Sequence, residues 1–136
     1  MKKIKILIAE NDEDEQTFMK DGFEGSGYFE VIGFAESGDQ LLTLLNENEA
    51  CRPDVILSDL NMPGKTGYDI LTELRADDRF YDLPIVITST SSVKSVIETC
   101  MRLGATSFIQ KPDTFVEYAS FAKALAVKLQ EQKTEG

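Results

Sequence analysis

At 136 residues the chain suits one domain whose core buries about two-thirds of the unfolded surface, and its 42% hydrophobic and 28% charged residues exclude disorder. Apolar runs as short as Ile6 to Ala9 and Ile85 to Ile87 exclude a membrane-spanning helix, which needs roughly 20 such residues. A net charge of −10, from 14 Lys and Arg against 24 Asp and Glu, argues against nucleic-acid binding and for cations or basic partner surfaces.

The chain has no His, and Cys51 and Cys100 stand apart without a CxxC spacing. Zinc sites and imidazole-dependent catalysis are therefore excluded, and both cysteines read as reduced structural thiols. Met1-Lys2-Lys3 leads into only a short apolar run ending at Glu10, so no signal peptide is read and a cytoplasmic protein is expected.

Lys5 to Ala9 is the first expected strand, followed at once by the acidic run Glu10 to Glu15. That run suits a helix's first turn, with Asn11 or Asp12 as N-cap and carboxylates at the positive end of the dipole. The helix is expected to turn Phe18, Met19 and Phe23 inward and to stop near Gly25. Phe29 to Ala35 forms a second strand, and Gly38 to Asn48 a helix with Leu41, Leu42, Leu44 and Leu45 on its buried face.

After Pro53, Val55-Ile56-Leu57 breaks into Ser58-Asp59-Leu60-Asn61-Met62-Pro63-Gly64, as a buried strand does on surfacing into a loop. Gly64 and Gly67 serve turn geometry and close backbone approach, and Gly67 to Arg75 is a helix. Pro84 opens a fourth strand, Ile85 to Thr88, which ends in the hydroxyls Ser89 to Ser92. Ser91 and Ser92 then cap a helix carrying Val93, Val96, Ile97 and Cys100, with Gly104 as its C′ residue.

Ala105 to Gln110 is a fifth strand, punctuated by Lys111-Pro112. The last helix opens on the capping box Thr114 to Glu117 and buries Phe115, Phe121, Ala122, Leu125 and Leu129. Strands alternating with helices call for a parallel sheet covered on both faces. Residues 1–130 are expected as one domain, 131–136 as a short polar tail, with no output domain.

In open parallel sheets ligands bind at the carboxyl ends of the strands. Glu10, Asn11, Asp12, Asp59, Ser89, Thr90 and Lys111 all fall there. Two carboxylates about 4 Å apart repel by roughly 4 kcal/mol at an effective dielectric near 20, so they attract a cation. Oxygen donors select a hard one, and Mg²⁺ fits because it uses one or two carboxylates and keeps waters. With a hydroxyl and an ammonium beside it, such a carboxylate can attack phosphorus and form an aspartyl phosphate.

On the motifs SDLNMPGKTG, Ser89 and Lys111-Pro112, residues 4 to 130 resemble a response-regulator receiver domain of two-component signalling, above all the stand-alone chemotaxis type. The resemblance implies a flavodoxin-like, doubly wound (βα)5 α/β fold with strand order 2-1-3-4-5. It places the phospho-acceptor on Asp59, the switch hydroxyl on Ser89 and the phosphate-contacting lysine on Lys111, with Pro112 cis. Mg²⁺, or Mn²⁺ in its stead, would be held by Glu10, Asn11, Asp59 and the Asn61 backbone carbonyl; Asp12 is a substitute ligand or, preferentially, the helix cap.

The family usually carries a second acidic residue where Asn11 stands, which implies weaker metal binding here. Phe108 occupies the position of a Tyr that turns inward on phosphorylation, and its movement is expected to stay coupled to Ser89. The implied function is a phosphorelay switch, itself no enzyme, that takes a phosphoryl group from a sensor histidine kinase or phosphotransfer protein. It would signal by docking a downstream protein through Ile97, Met101, Phe108 and Tyr118, as a monomer or a phosphorylation-dependent dimer, with no nucleic acid or membrane involved. The rival readings are a phosphate-independent binding module disabled by Asn11, and a flavin or nucleotide binder, which lacks a glycine-rich phosphate loop after the first strand.

Overall fold

Strands covered on both faces need no polar alternation, and β1 (Ile4–Ala9), β3 (Val55–Asp59) and β4 (Ile85–Ser89) carry almost none. The computed structural model describes residues 2–47, 52–91, 93–111 and 116–135. In it these strands join β2 (Phe29–Ala35) and β5 (Ser107–Gln110) in one parallel sheet of order β2-β1-β3-β4-β5. Among the described residues the strands alternate with α1 (Glu13–Gly25), α2 (Gly38–Glu47), α3 (Gly67–Arg75), α4 (Lys94–Arg102) and α5 (Val116–Glu135). The doubly wound fold expected from the sequence is the fold observed.

Successive side chains leave a strand on opposite faces, which divides the apolar residues into two cores. Ile6, Ile8, Val55, Leu57 and Val86 face α1 and α5, where they meet Met19, Phe23, Tyr118, Ala122 and Leu125. Leu7, Ala9, Ile56, Ile85 and Ile87 face the other three helices, through Leu41, Leu45, Ile70, Leu71, Leu74 and Cys100. The chain winds outward in both directions from the β1–β3 pair, so the crevice between these two strands opens at their carboxyl ends.

Several local expectations are corrected. Phe18 is 36% exposed, because the inward stripe of α1 is Met19, Gly22 and Phe23, and Phe18 lies off that stripe. Ser91 does not cap α4: the N-cap is Val93, without a side-chain bond, and Ser91 Oγ accepts the Val93 N–H instead (3.3 Å). β5 begins only at Ser107. The expected polar tail is helical through Glu135, as Glu, Gln and Lys readily prolong a helix already docked by Leu125 and Leu129. Cys51, Ser92, the Lys111-Pro112 peptide, Thr114 and Phe115 involve positions outside the described residues.

Arg75, at the end of α3, ties together segments distant in sequence. Its Nε donates to the Gly104 carbonyl (2.8 Å), and its Nη1 donates to those of Phe80 (3.2 Å) and Leu83 (2.8 Å). Gly104 has φ 107°, and the Arg75 side chain lies where a Cβ there would stand. Replacing Arg75→Met should lower stability by about 3 kcal/mol in urea denaturation, since charged hydrogen bonds are lost and carbonyls are left unpaired. Arg75→Lys should recover less than half, because one ammonium cannot match the guanidinium's fixed fork.

Candidate functional site

Four strand ends build a polar edge on the apolar sheet. β1 delivers Glu10, whose N–H donates to the Ala35 carbonyl (2.8 Å), and β3 ends on Asp59. β4 ends on Ser89, and β5 runs into Lys111, whose N–H donates to the Ser89 carbonyl (2.8 Å). The parallel register sets Asp59 beside Thr88 and Ser89 beside Gln110. Backbone bonds thus bring together residues that the chain separates widely.

Lys111 Nζ donates to Glu10 Oε1 at 2.5 Å and to Asp59 Oδ2 at 3.3 Å, joining both carboxylates through one ammonium. Glu10 is only 1% exposed, and Asp59 is also buried. Burial pushes the Glu10 carboxyl above its usual range, although the Lys111 hydrogen bond and the Asp12 N–H pull it down. For Lys111 burial works against the charge, but the hydrogen bond to Glu10 and the charges of Asp59 and Glu10 outweigh it and raise the pKa.

The surrounding backbone orients these groups. The Asp12 N–H donates to Glu10 Oε2 (3.1 Å), and the Asn61 N–H to Asp59 Oδ1 (3.4 Å). Asp12 is the cap of α1, its Oδ1 accepting from the Glu15 N–H (3.0 Å), as preferred from the sequence. Gly64 adopts φ 70°, and a Cβ at Gly67 would stand 2.9 Å from the Leu60 Cα, so both glycines let the β3–α3 loop fold closely. Ser89 is buried with its Oγ accepting the Ser91 N–H (3.1 Å), which leaves its own proton available to donate.

Among the described residues no three His, Cys, Asp or Glu side chains converge as a metal cluster. The pair Glu10 and Asp59 nevertheless fits a hard divalent ion of the Mg²⁺ kind, which needs one or two carboxylates and fills its remaining positions with water. Asn11 and Asn61 are exposed at the same edge. Gln16 escaped sequence reasoning: its Nε2 donates to the Glu10 carbonyl (2.6 Å) and holds that residue's backbone. An amide one helical turn beyond the acidic cap was the available signal.

On the flank of the site, Met101 and Val93 are exposed, while Ile97 and Phe108 are half-buried. Phe108 packs on the α2–α3–α4 side of the sheet, beside Ile87 in the β4–β5 register.

Compared with known families, residues 6–120 match the response regulator receiver domain. Over 111 residues the chain is 30% identical to chemotaxis protein CheY1 of Helicobacter pylori strain J99, covering 82% of this chain and 87% of that protein. It is 34% identical over 130 residues to the transcriptional regulatory protein MalR of Bacillus subtilis strain 168, covering 96% of this chain and 52% of MalR, so it spans about half of that relative. The phosphorylated cyanobacterial phytochrome response regulator RcpA superposes with a TM-score of 0.81 at 26% identity, over 91% of each chain.

Tyr118, expected on a docking surface, is instead 1% exposed and packs in the core beneath α1 and α5. Its hydroxyl donates to Glu15 Oε2 (2.6 Å), and Gly22 leaves space for its Cβ. Burial, then the bond to Glu15, raises its pKa well above the ordinary 10.0. The stability this bond contributes is fully present below pH 10 and is lost as pH rises toward the raised value. Tyr118→Phe should therefore cost about 2 kcal/mol at pH 8 in urea denaturation, and the difference from wild type should shrink above pH 10.

Proposed function

The chain belongs to the response regulator receiver domain family, and from that premise we propose that it is a phosphorelay switch accepting a phosphoryl group on Asp59. The observation that carries this reading is the single ammonium of Lys111 bound to Glu10 and Asp59, at the carboxyl edge of the sheet. The donor is a phosphohistidine on a sensor histidine kinase or phosphotransfer protein. A carboxylate oxygen of Asp59 bonds to phosphorus as the P–N bond breaks; the departing imidazole keeps the electron pair and is protonated by solvent.

Lys111 neutralises a phosphoryl oxygen, and Ser89 donates its hydroxyl proton to another. Mg²⁺, or Mn²⁺ in its place, supplies further neutralisation of the phosphoryl oxygens when bound. Glu10, Asp59 and the Asn61 carbonyl would hold it. Asn11 offers a neutral oxygen only, while Asp12 is already engaged as a cap. Movement of Ser89 toward the phosphoryl group is coupled through β4 and β5 to Phe108, altering the surface of Ile97, Met101 and Phe108 that docks a downstream protein.

Incubation with a small-molecule phosphodonor should add one phosphoryl group to wild type, seen by intact mass, only when Mg²⁺ is present, and none to Asp59→Asn. If wild type remained unmodified with Mg²⁺ and with a cognate donor too, the chain would instead be a phosphate-independent binding module. Asn11→Asp should tighten Mg²⁺ binding about tenfold by calorimetry, since it adds a charged oxygen donor worth on the order of 1.4 kcal/mol at such a site.

A further inference from the structure

We propose that the cavity between α2 and the first halves of β1 and β2 is a binding site for a free α-amino acid with a branched aliphatic side chain. It lies away from the carboxyl edge that carries Asp59 and does not depend on the phosphoryl-transfer reading. The cavity has a volume of about 260 Å³ and is walled by Leu7, Ile32, Leu44, Leu45 and Pro53. A space of ~150 Å³ is enough to admit a benzene ring, so a branched aliphatic chain fits here.

The space originates in the backbone of β2. Ile6 pairs with Val31 and Leu7 with Gly33, so the register shifts between them and Ile32 is left as an extra residue. Leu7 and Ile32 both pack on the α2 side of the sheet, and Gly33, beside Leu7, adds no side chain there. A glycine inside a strand weakens it and commonly marks a bulge or the close approach of a backbone or ligand. Gly33 is not among the residues of positive φ, so its conformation does not demand glycine. Nor does backbone crowding: among the described residues outside its chain neighbours, a Cβ there would meet only Leu7 Cδ1 within 4 Å, at 3.3 Å. What the missing side chain does is keep the cavity open.

Two charged residues border the same space, Lys5 and Glu30, which are register partners on β1 and β2 and so share a face of the sheet. Opposite charges so placed commonly pair, yet among the described residues neither side chain makes an ion pair or hydrogen bond. Lys5 is held by its backbone instead: its N–H donates to Asp54 Oδ2 (2.9 Å) and its carbonyl accepts the Asp54 N–H (2.8 Å). A free ammonium and a free carboxylate beside an apolar cavity suit a zwitterion. The ligand's carboxylate accepts from Lys5, its ammonium donates to Glu30, and its aliphatic chain enters among Leu7, Ile32 and Leu44. A simple fatty acid would set its carboxylate against Glu30, and a simple amine its ammonium against Lys5. Exposed ion pairs contribute little, so burial of the aliphatic chain supplies most of the affinity and the charges supply the selectivity.

The test is an amide-resolved NMR titration of the full chain with L-leucine. Signals of Lys5, Leu7, Glu30 and Gly33 should shift saturably, and those of Asp59 and Ser89 should stay in place. Isocaproate, which lacks the ammonium, and isoamylamine, which lacks the carboxylate, should each bind about fivefold more weakly. Glu30→Gln, at an exposed position, should lose the preference for L-leucine over isocaproate, and Gly33→Val, whose methyl groups enter the cavity, should abolish the shifts. No saturable shift in wild type, shifts centred elsewhere, equal binding of L-leucine and its two analogues, or undiminished binding by folded Gly33→Val overturns the proposal. The wild-type titrations require no variant to fold. Asp59→Asn should bind L-leucine as wild type does, so this site and the phosphoryl-transfer reading fail separately.

Discussion

The ammonium of Lys111 lies between Glu10 and Asp59, and the polar edge of the sheet is organised around it. Without a cation the two buried carboxylates would repel one another, and burial already disfavours the ionised form of Glu10. The same residue's backbone N–H bonds to Ser89, so Lys111 joins the ends of β1, β3, β4 and β5 through its side chain and main chain together. Remove the charge and the carboxylates lose their shared partner; move the backbone and the ammonium loses its reach.

Such an edge requires a rigid support, which the two cores supply. Ile8 and Leu57 pack on one side of the sheet, Ala9 and Ile56 on the other, immediately behind the carboxylates. Interiors packed to this density transmit small displacements instead of absorbing them. The loop after Asp59 is also braced from the side, where the Lys65 N–H donates to Asp39 Oδ2 (3.2 Å) and the Lys65 ammonium pairs with Glu73. The cavity of about 260 Å³ near Leu7, Gly33, Leu45 and Pro53 lies toward the amino ends of β1 and β3 and takes no part in this edge.

The acidic start of α1 contributes differently from what its charge alone suggests. Asp12 caps the helix, Glu15 anchors the Tyr118 hydroxyl, and Gln16 holds the Glu10 carbonyl. The run Glu10 to Glu15 is therefore divided between the contact with Lys111 and the packing of α1 on α5, and only Glu10 directs its carboxylate to Lys111 among these contacts. Asn11 leaves the edge with one negative charge fewer than an acidic residue there would provide.

The strands, helices and their order were legible in the sequence, because buried parallel strands are continuous apolar runs and the caps and glycines that bound helices act within a few residues. Asp59, Ser89 and Lys111 could likewise be placed on one edge, since the ends of parallel strands must come together. Local pattern was less informative about how long side chains terminate. It left Phe18 on the wrong side of α1 and said nothing of the three carbonyls gathered by Arg75, while the placement of Tyr118 on a docking surface came from the family resemblance and failed because that ring is buried. Only the tertiary structure decided that Lys111 rests closer to Glu10 than to Asp59, because a flexible side chain settles where charge, donors and burial from distant segments balance, and that balance exists only once those segments are packed side by side.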